Sequence, residues 1–268
     1  MKKILPPIVY DILIRLYRFC IPSNPRWNTI QSGILKGNEI YVNQRTPHFK
    51  MMVDGNYDLF FTDYLNRCSW SGAVVLDIGG HIGYSALTFA ALTGAEGKVV
   101  VFEPNRFNLE RLMMNVSRNK NLREIIRIEP VALSDFNGES EFNLSSNIDD
   151  ETSSGGFLEG AAKPLENVIY SEYGFRKEKV KVVRLDDYIK KLEIAKVDLI
   201  KIDVEGAEYM ALAGGIELLK RDKPTLLIEV HSIIAMMKTC ELLLPLGYKI
   251  EILDKDQLSR CFISAVYS

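Results

Sequence analysis

The sequence predicts an α/β fold: a doubly wound, mostly parallel sheet with an antiparallel C-terminal hairpin, preceded by an N-terminal helical and strand extension. Three observations predict it. Short apolar runs alternate with amphipathic stretches from residue 74 onward. The first such run, Val74-Val75-Leu76-Asp77-Ile78, turns through Gly79-Gly80-His81-Ile82-Gly83 into an amphipathic segment at residues 84–92. Two later runs, residues 197–203 and 225–230, carry unexpected charge toward their C-terminal ends, where open α/β sheets place their ligands.

The elements follow in order. Residues 1–20 set Lys2, Lys3, Arg15 and Arg18 around Ile4, Leu5, Ile8, Val9, Ile12, Leu13 and Leu16. Pro6, Pro7, Asp11 and Arg15 interrupt the apolar run too often for a transmembrane helix, and no small-residue cleavage site follows. The segment reads as a basic amphipathic helix packed on its own domain or on a second copy in a homo-oligomer. A peripheral seat at the inner membrane surface is the alternative. Residues 31–42 and 48–53 read as short strands, split by turn-like residues 36–38 and 44–47, and 58–66 as a helix, which completes an extension over residues 1–70.

Residues 71–268 form the ligand-binding domain. After the strand at 98–102 come a helix at 107–119, a strand-like run at 125–132 and a further strand at 139–144. Residues 145–179, rich in Ser, Asp, Gly and Glu, are too long for an ordinary connection and read as a substrate loop. Strands resume at 180–183, 197–203, 225–230, 249–253 and 261–267, with helices at 207–221 and 233–244. With 33 basic and 35 acidic residues, the net charge of −2 implies no nucleic-acid partner. Cys20, Cys68, Cys240 and Cys261 form no C-x-x-C pair, so reduced cytoplasmic thiols are expected rather than a zinc site or a disulfide framework.

The first glycine turn carries the cofactor signal. Its pattern, Asp77-x-Gly79-x-x-x-Gly83, lacks the Gly-x-Gly-x-x-Gly that seats a dinucleotide pyrophosphate. It suits S-adenosyl-L-methionine instead: Asp77 can face the α-ammonium, and the backbone N–H groups at Gly79, His81 and Gly83 can face the carboxylate. Glu103 closes the next strand, followed by Pro104 and Asn105, and its carboxylate can accept both ribose hydroxyls. A plain connector turn is the alternative for the glycines, and a solvated loop acid for Glu103.

Lys201 and Asp203 lie two residues apart, so they project to one side of a strand that should be apolar. Burying charge there is costly without function. Glu205 follows at a helix start, where an acid is favourable in any case. Glu229 and His231 repeat the arrangement on the next strand. His231 is a candidate general base.

DIGGHIG at residues 77–83, FEP at 102–104, ALSD at 132–135, KIDVEGAE at 201–208 and EVH at 229–231 resemble the FkbM-type methyltransferases in order and spacing. Upstream, Asp54-Gly55-Asn56-Tyr57-Asp58 is similar to that family's segment before the first motif. The resemblance spans residues 33–248. It implies a class I, Rossmann-like methyltransferase fold that uses S-adenosyl-L-methionine, releases S-adenosyl-L-homocysteine and most often methylates hydroxyls of sugars, glycans or natural products. His81 departs from the family's DIGANIG, which carries Asn there. Residues 145–179 match no family pattern, so the acceptor is not named.

The expected mechanism is in-line methyl transfer, in which alignment is the protein's main task. Asp77, Gly79, His81 and Gly83 would hold the methionine end, Glu103 and Asn105 the ribose, and Ala132 the adenine side. Asp203 and His231 are the candidate bases, Asp203 also touching the cofactor, with Lys201 and Glu205 orienting the acceptor. The spacing demands no metal, although Asp203, Glu205, Glu229 and His231 could hold a divalent ion. N-methylation, a nicotinamide-dependent oxidoreductase and a non-catalytic membrane-surface protein are the other readings.

Overall fold

The computed structural model describes residues 24–145, 152, 155–162, 175–257 and 260–268. The helix expected at residues 1–20 and most of the loop expected at 145–179 lie outside them. The chain divides into two compact units at Tyr57/Asp58.

In the first unit, β1 (Arg26–Thr29) pairs antiparallel with β2 (Glu39–Val42), and α1 (Pro47–Asp54) follows. Two expected strands are corrected here. Residues 31–38 form mostly turns, and only Glu39–Val42 is strand. Residues 48–53 are helix. Pro47 sits at the first helical positions, where its missing N–H costs nothing. Phe49, Met52 and Val53, at helical spacing, form the buried face. The Gly55 N–H donates to the Met51 and Met52 carbonyls and closes the helix.

The second unit opens with α2 (Leu59–Leu65), whose flanking Phe60 and Phe61 rings pack on Phe262. The main sheet then assembles from β3 (Val74–Ile78), β4 (Lys98–Phe102), β5 (Ile126–Glu129), β10 (Leu199–Ile202), β11 (Thr225–Val230), β12 (Tyr248–Gln257) and β13 (Arg260–Tyr267). Their order is β12-β13-β11-β10-β3-β4-β5. The strands from β11 to β5 run parallel, and β13 is antiparallel to both of its neighbours. Helices α3 (Tyr84–Thr93) and α4 (Arg106–Arg118) follow β3 and β4. Farther along lie α5 (Leu185–Lys191), α6 (Glu208–Ala213), α7 (Ile216–Asp222) and α8 (Ile233–Leu243). The helix expected at 207–221 is thus two helices, divided at Gly214 and Gly215, and α5 carries no counterpart in the sequence reading.

Val75, Leu76, Val99, Val100, Ile200, Leu226 and Leu227 are fully buried, which is why these strands read as near-continuous apolar runs. Burial of such side chains, at roughly 25 cal/mol per Å², is the main force holding the layers together.

A smaller sheet has the order β6-β9-β7-β8: β6 (Ala132–Leu133), β7 (Gly138–Ser145), β8 (Phe157–Leu158) and β9 (Phe175–Val183). The single run expected at 125–132 is therefore split between two sheets. Pro130 lies at the break, a residue that cannot donate to a ladder. The small sheet buries Phe142, Leu144, Leu158 and Val182 against Ala207 and Met210 of the α6 region. Strand order reverses between β3 and β10, and ligands bind at such switch points.

Candidate active site

The turn after β3 is bent over the end of β4, because the Gly79 and Gly80 N–H groups both donate to the Phe102 carbonyl oxygen, at 3.0 and 3.1 Å. Gly79 has φ +83°, and a Cβ there would lie 1.9 Å from the Asp203 backbone oxygen. No side chain fits. His81 also takes a left-handed conformation, φ +47°. Asn and His are both enriched there, so the departure from the family's Asn keeps the backbone shape. Its N–H donates to Glu103 Oε2 at 2.8 Å. Gly83 caps α3.

Glu103, buried at the end of β4, also accepts the Asn105 N–H at 2.9 Å and Asn108 Nδ2 at 3.4 Å. Burial pushes its carboxyl up to about 7, against these hydrogen bonds. Asn105 Oδ1 accepts the Phe107 N–H and caps α4, while the buried Asn105 Nδ2 has no hydrogen-bond partner among the described residues. An orphaned donor beside a buried carboxylate fits a ribose or a similar polyol.

Under the turn lies a row of charge. Lys201, 3 % exposed, donates to the Gly79 carbonyl oxygen at 2.9 Å and stands 3.5 Å from Asp77 Oδ1 and 3.4 Å from Asp203 Oδ2. Burial alone would lower its pKa, but Asp203 and Asp77 drive it above the ordinary lysine range. Asp77 is fully buried and accepts Ser85 Oγ at 2.7 Å. The two residues brace the turn from below, and the buried Asp77 Oδ1 has no hydrogen-bond partner among the described residues. Among the acids here, the Asp203 side chain is 24 % exposed and that of Glu205 32 %. Despite burial, which would raise it, Asp203 is held below the usual carboxylate range by Lys201 and His231.

His231 leaves β11 with its Nδ1 2.8 Å from Glu208 Oε1, and its Nε2 faces Glu229 Oε1, Glu205 Oε2 and Asp203 Oδ1 at 3.4, 3.5 and 3.7 Å. Arg260 Nη1 pairs with Glu229 Oε1 at 3.0 Å. The structure thus brings together Lys201, Asp203, Glu205, Glu229 and His231, with the glycine turn alongside. Ala132 is not brought in: it is buried in the small sheet with Phe142 and Val182.

Two acids of the cluster carried no assigned role in the sequence reading. Glu208 ends the KIDVEGAE motif and opens α6. Asp58 caps α2 with φ +50°, and burial, then Glu229 and Asp203, push its carboxyl up to about 8.

The chain's segment 155–162 reaches this region. The Ala162 N–H donates to the Gly206 carbonyl oxygen at 2.8 Å, and Ser232 Oγ donates to the Ala162 carbonyl oxygen at 2.8 Å. No helix of the described residues is long and apolar enough to cross a membrane.

Residues 77–250, more than half of the chain, match the methyltransferase FkbM domain. Over 154 residues the chain is 31% identical to the 2-O-methyltransferase NoeI of Sinorhizobium fredii (strain NBRC 101917 / NGR234), covering 56% of this chain and 60% of that protein. Over 161 residues it is 33% identical to the 31-O-demethyl-FK506 methyltransferase FkbM of Streptomyces tacrolimicus, covering 53% and 59%. The chain thus spans about 60% of the length of the curated relatives it matches. The crystal structure of methyltransferase FkbM from Methylobacillus flagellatus KT superposes with a TM-score of 0.53 at 20% identity, over 74% of this chain and 45% of that one. That likeness shows the α/β Rossmann-like methyltransferase fold.

Proposed function

The chain belongs to the FkbM methyltransferase domain family, and from that premise we propose that it transfers a methyl group from S-adenosyl-L-methionine to a hydroxyl oxygen of a sugar, glycan or natural-product acceptor. One observation carries this reading. The Asp203 backbone lies so close to Gly79 that the glycine turn and the acid cluster share a wall, which puts a cofactor seat beside proton-accepting groups. Support comes from both relatives, which are named as methyltransferases that act on oxygen.

Bound at the turn, the cofactor supplies an electrophilic sulfonium methyl. Glu103 and Asn105 hold the ribose hydroxyls, and the turn at Gly79, His81 and Gly83, whose own N–H groups are spent on Phe102, Glu103 and Gly80, lines the methionine end. Asp77 and Lys201 keep the turn in shape. Asp203, partly open beside Gly79, serves both the methionine end and the acceptor. Glu205 and His231 stand on its far side to orient the acceptor hydroxyl, and Asp203, kept ionised by Lys201, takes its proton. The segment ending at Ala162 covers the acceptor side, a reading supported by its bonds to Gly206 and Ser232.

Isothermal titration with S-adenosyl-L-homocysteine and with NAD separates this reading from a nicotinamide-dependent one. Binding of the first and not the second is expected, and the reverse would overturn the reading. A methyl-transfer screen over glycans, nucleotide sugars and polyketide-type alcohols then tests the acceptor class. Exclusive N-methyl product would refute the O-methyl assignment.

A further inference from the structure

We propose that Asp203, Glu205 and His231 form a binding site for one divalent first-row cation of the Mn²⁺ type. The inference deepens the reading above, because the site lies in the same cluster. One ligand atom from each of the three residues lies within 4.8 Å of the others.

Spacing is the first ground. His231 Nε2 stands 3.5 Å from Glu205 Oε2 and 3.7 Å from Asp203 Oδ1. An N–H···O bond is about 2.7–3.2 Å long, so these are poor hydrogen bonds. Ligands about 2.1 Å from one ion, at tetrahedral to octahedral angles, are separated by roughly 3.0–3.4 Å. The two histidine–carboxylate separations lie just outside that range, and all three ligand atoms lie within 4.8 Å of one another.

Ring orientation is the second and independent ground. His231 is 4 % exposed, and its Nδ1 is fixed at 2.8 Å by Glu208, a fully buried residue that is not one of the three ligands. Glu208 is fixed in turn by the Gly206 N–H at 2.8 Å. A carboxylate on Nδ1 favours a proton there and leaves Nε2 as the ring nitrogen that faces Asp203 and Glu205. That is the outer-shell arrangement that orients a metal-binding imidazole.

The neighbouring cations leave the site free. Lys201 faces Asp203 Oδ2, so Oδ1 is left toward His231. Arg260 pairs with Glu229 Oε1 at 3.0 Å, which offsets the charge of that acid although it stays 3.4 Å from His231 Nε2. One imidazole with carboxylates suits Mn²⁺, Fe²⁺ or Zn²⁺ better than an ion that prefers an all-oxygen shell. Three protein ligands and partly exposed acids leave room for an acceptor hydroxyl, whose pKa the ion would lower.

The test uses the full chain stripped with chelator and titrated with Mn²⁺, following loss of the free-ion electron paramagnetic resonance signal. Uptake of one equivalent is expected. Glu205→Gln, at a partly exposed position, and His231→Gln should each weaken it more than about tenfold, and Glu208→Gln by about tenfold or more. Circular dichroism confirms that each variant is folded. No uptake by the wild type at millimolar Mn²⁺, or equal uptake by folded Glu205→Gln and His231→Gln, overturns the site. Titration with S-adenosyl-L-homocysteine runs in parallel. Its binding without Mn²⁺ uptake defeats the metal site and leaves the methyltransferase reading standing. Mn²⁺ uptake that the variants lose, without its binding, supports the site and defeats that reading.

Discussion

Lys201 Nζ donates to the Gly79 carbonyl oxygen at 2.9 Å, so the glycine turn after β3 is held from beneath by a charge on β10. The two stretches lie far apart in sequence but adjacent in the sheet, where Lys201 pairs with Asp77 in register. A buried cation between two acids can persist only because both sides are satisfied. The same contact explains why an apolar strand carries a lysine at all.

Lys201→Met should cost about 3–5 kcal/mol of stability at neutral pH, because it strands Asp77 and Asp203 without their cation. Urea unfolding of metal-stripped protein reads the loss. Lys201 holds Asp203 below the usual carboxylate range, so this contribution is fully present above about pH 4 and is lost as pH falls through the lowered value. The gap between wild type and variant should therefore narrow toward acid. An unchanged gap at low pH would show that lost packing, and not lost charge, was responsible.

Gly79→Ala should destabilise the fold and abolish binding of S-adenosyl-L-homocysteine, because the added Cβ meets the Asp203 oxygen at 1.9 Å. Gly94→Ala is the control. It shares a positive φ, +67°, but no atom lies within 4 Å of its added Cβ. With ψ −172° its conformation is one that glycine alone adopts readily, so that variant should lose only a backbone term of about 1–3 kcal/mol and keep its ligand affinity. Thermal melts and titration of both variants check the contrast. Equal losses would make backbone conformation, rather than close approach, the cause.

Much of this site was legible because buried parallel strands are apolar, so Lys201, Asp203 and Glu229 stood out as exceptions. The glycine turn was legible because its spacing is local. The helix α1 was not, since the run Phe49 to Val53 is short enough to suit either period and its ends decide the matter. Glu208 and Asp58 were hidden for another reason. Each takes its role from residues distant in sequence: Glu208 from His231, and Asp58 from Glu229 and Asp203. An acid near a helix start is also ordinary on electrostatic grounds, which masked both. The second sheet, in which Ala132 pairs with Val182, was not legible either, because that pairing joins residues far apart in sequence.

Affinity for S-adenosyl-L-homocysteine should rise as pH increases through about 7, the value to which burial pushes Glu103. The ionised carboxylate has more lone pairs for ribose hydroxyls than the protonated acid, so binding releases a proton. The slope is at most about tenfold per pH unit for one proton and flattens above the pKa. Glu103→Gln should bind weakly and without this slope. Calorimetry at several pH values checks both, and a slope that survives in Glu103→Gln would assign the titration elsewhere.

Asp58→Asn should stabilise the protein at alkaline pH and leave it nearly unchanged at acid pH. Burial, then Glu229 and Asp203, push the Asp58 carboxyl up to about 8, so the folded chain holds a proton that the unfolded chain releases near pH 4. Between those values stability falls as pH rises, because the folded state binds more protons. An amide carries no charge and removes this slope. It also tolerates the left-handed φ of +50°, and no side-chain hydrogen bond caps α2 to be lost. The advantage of Asp58→Asn should grow from about pH 5 to pH 8 and then level off, as urea midpoints at each pH would record. Parallel curves across that range would mean that Asp58 is ionised throughout, and that the acids around Asp203 tolerate one more charge than their burial allows.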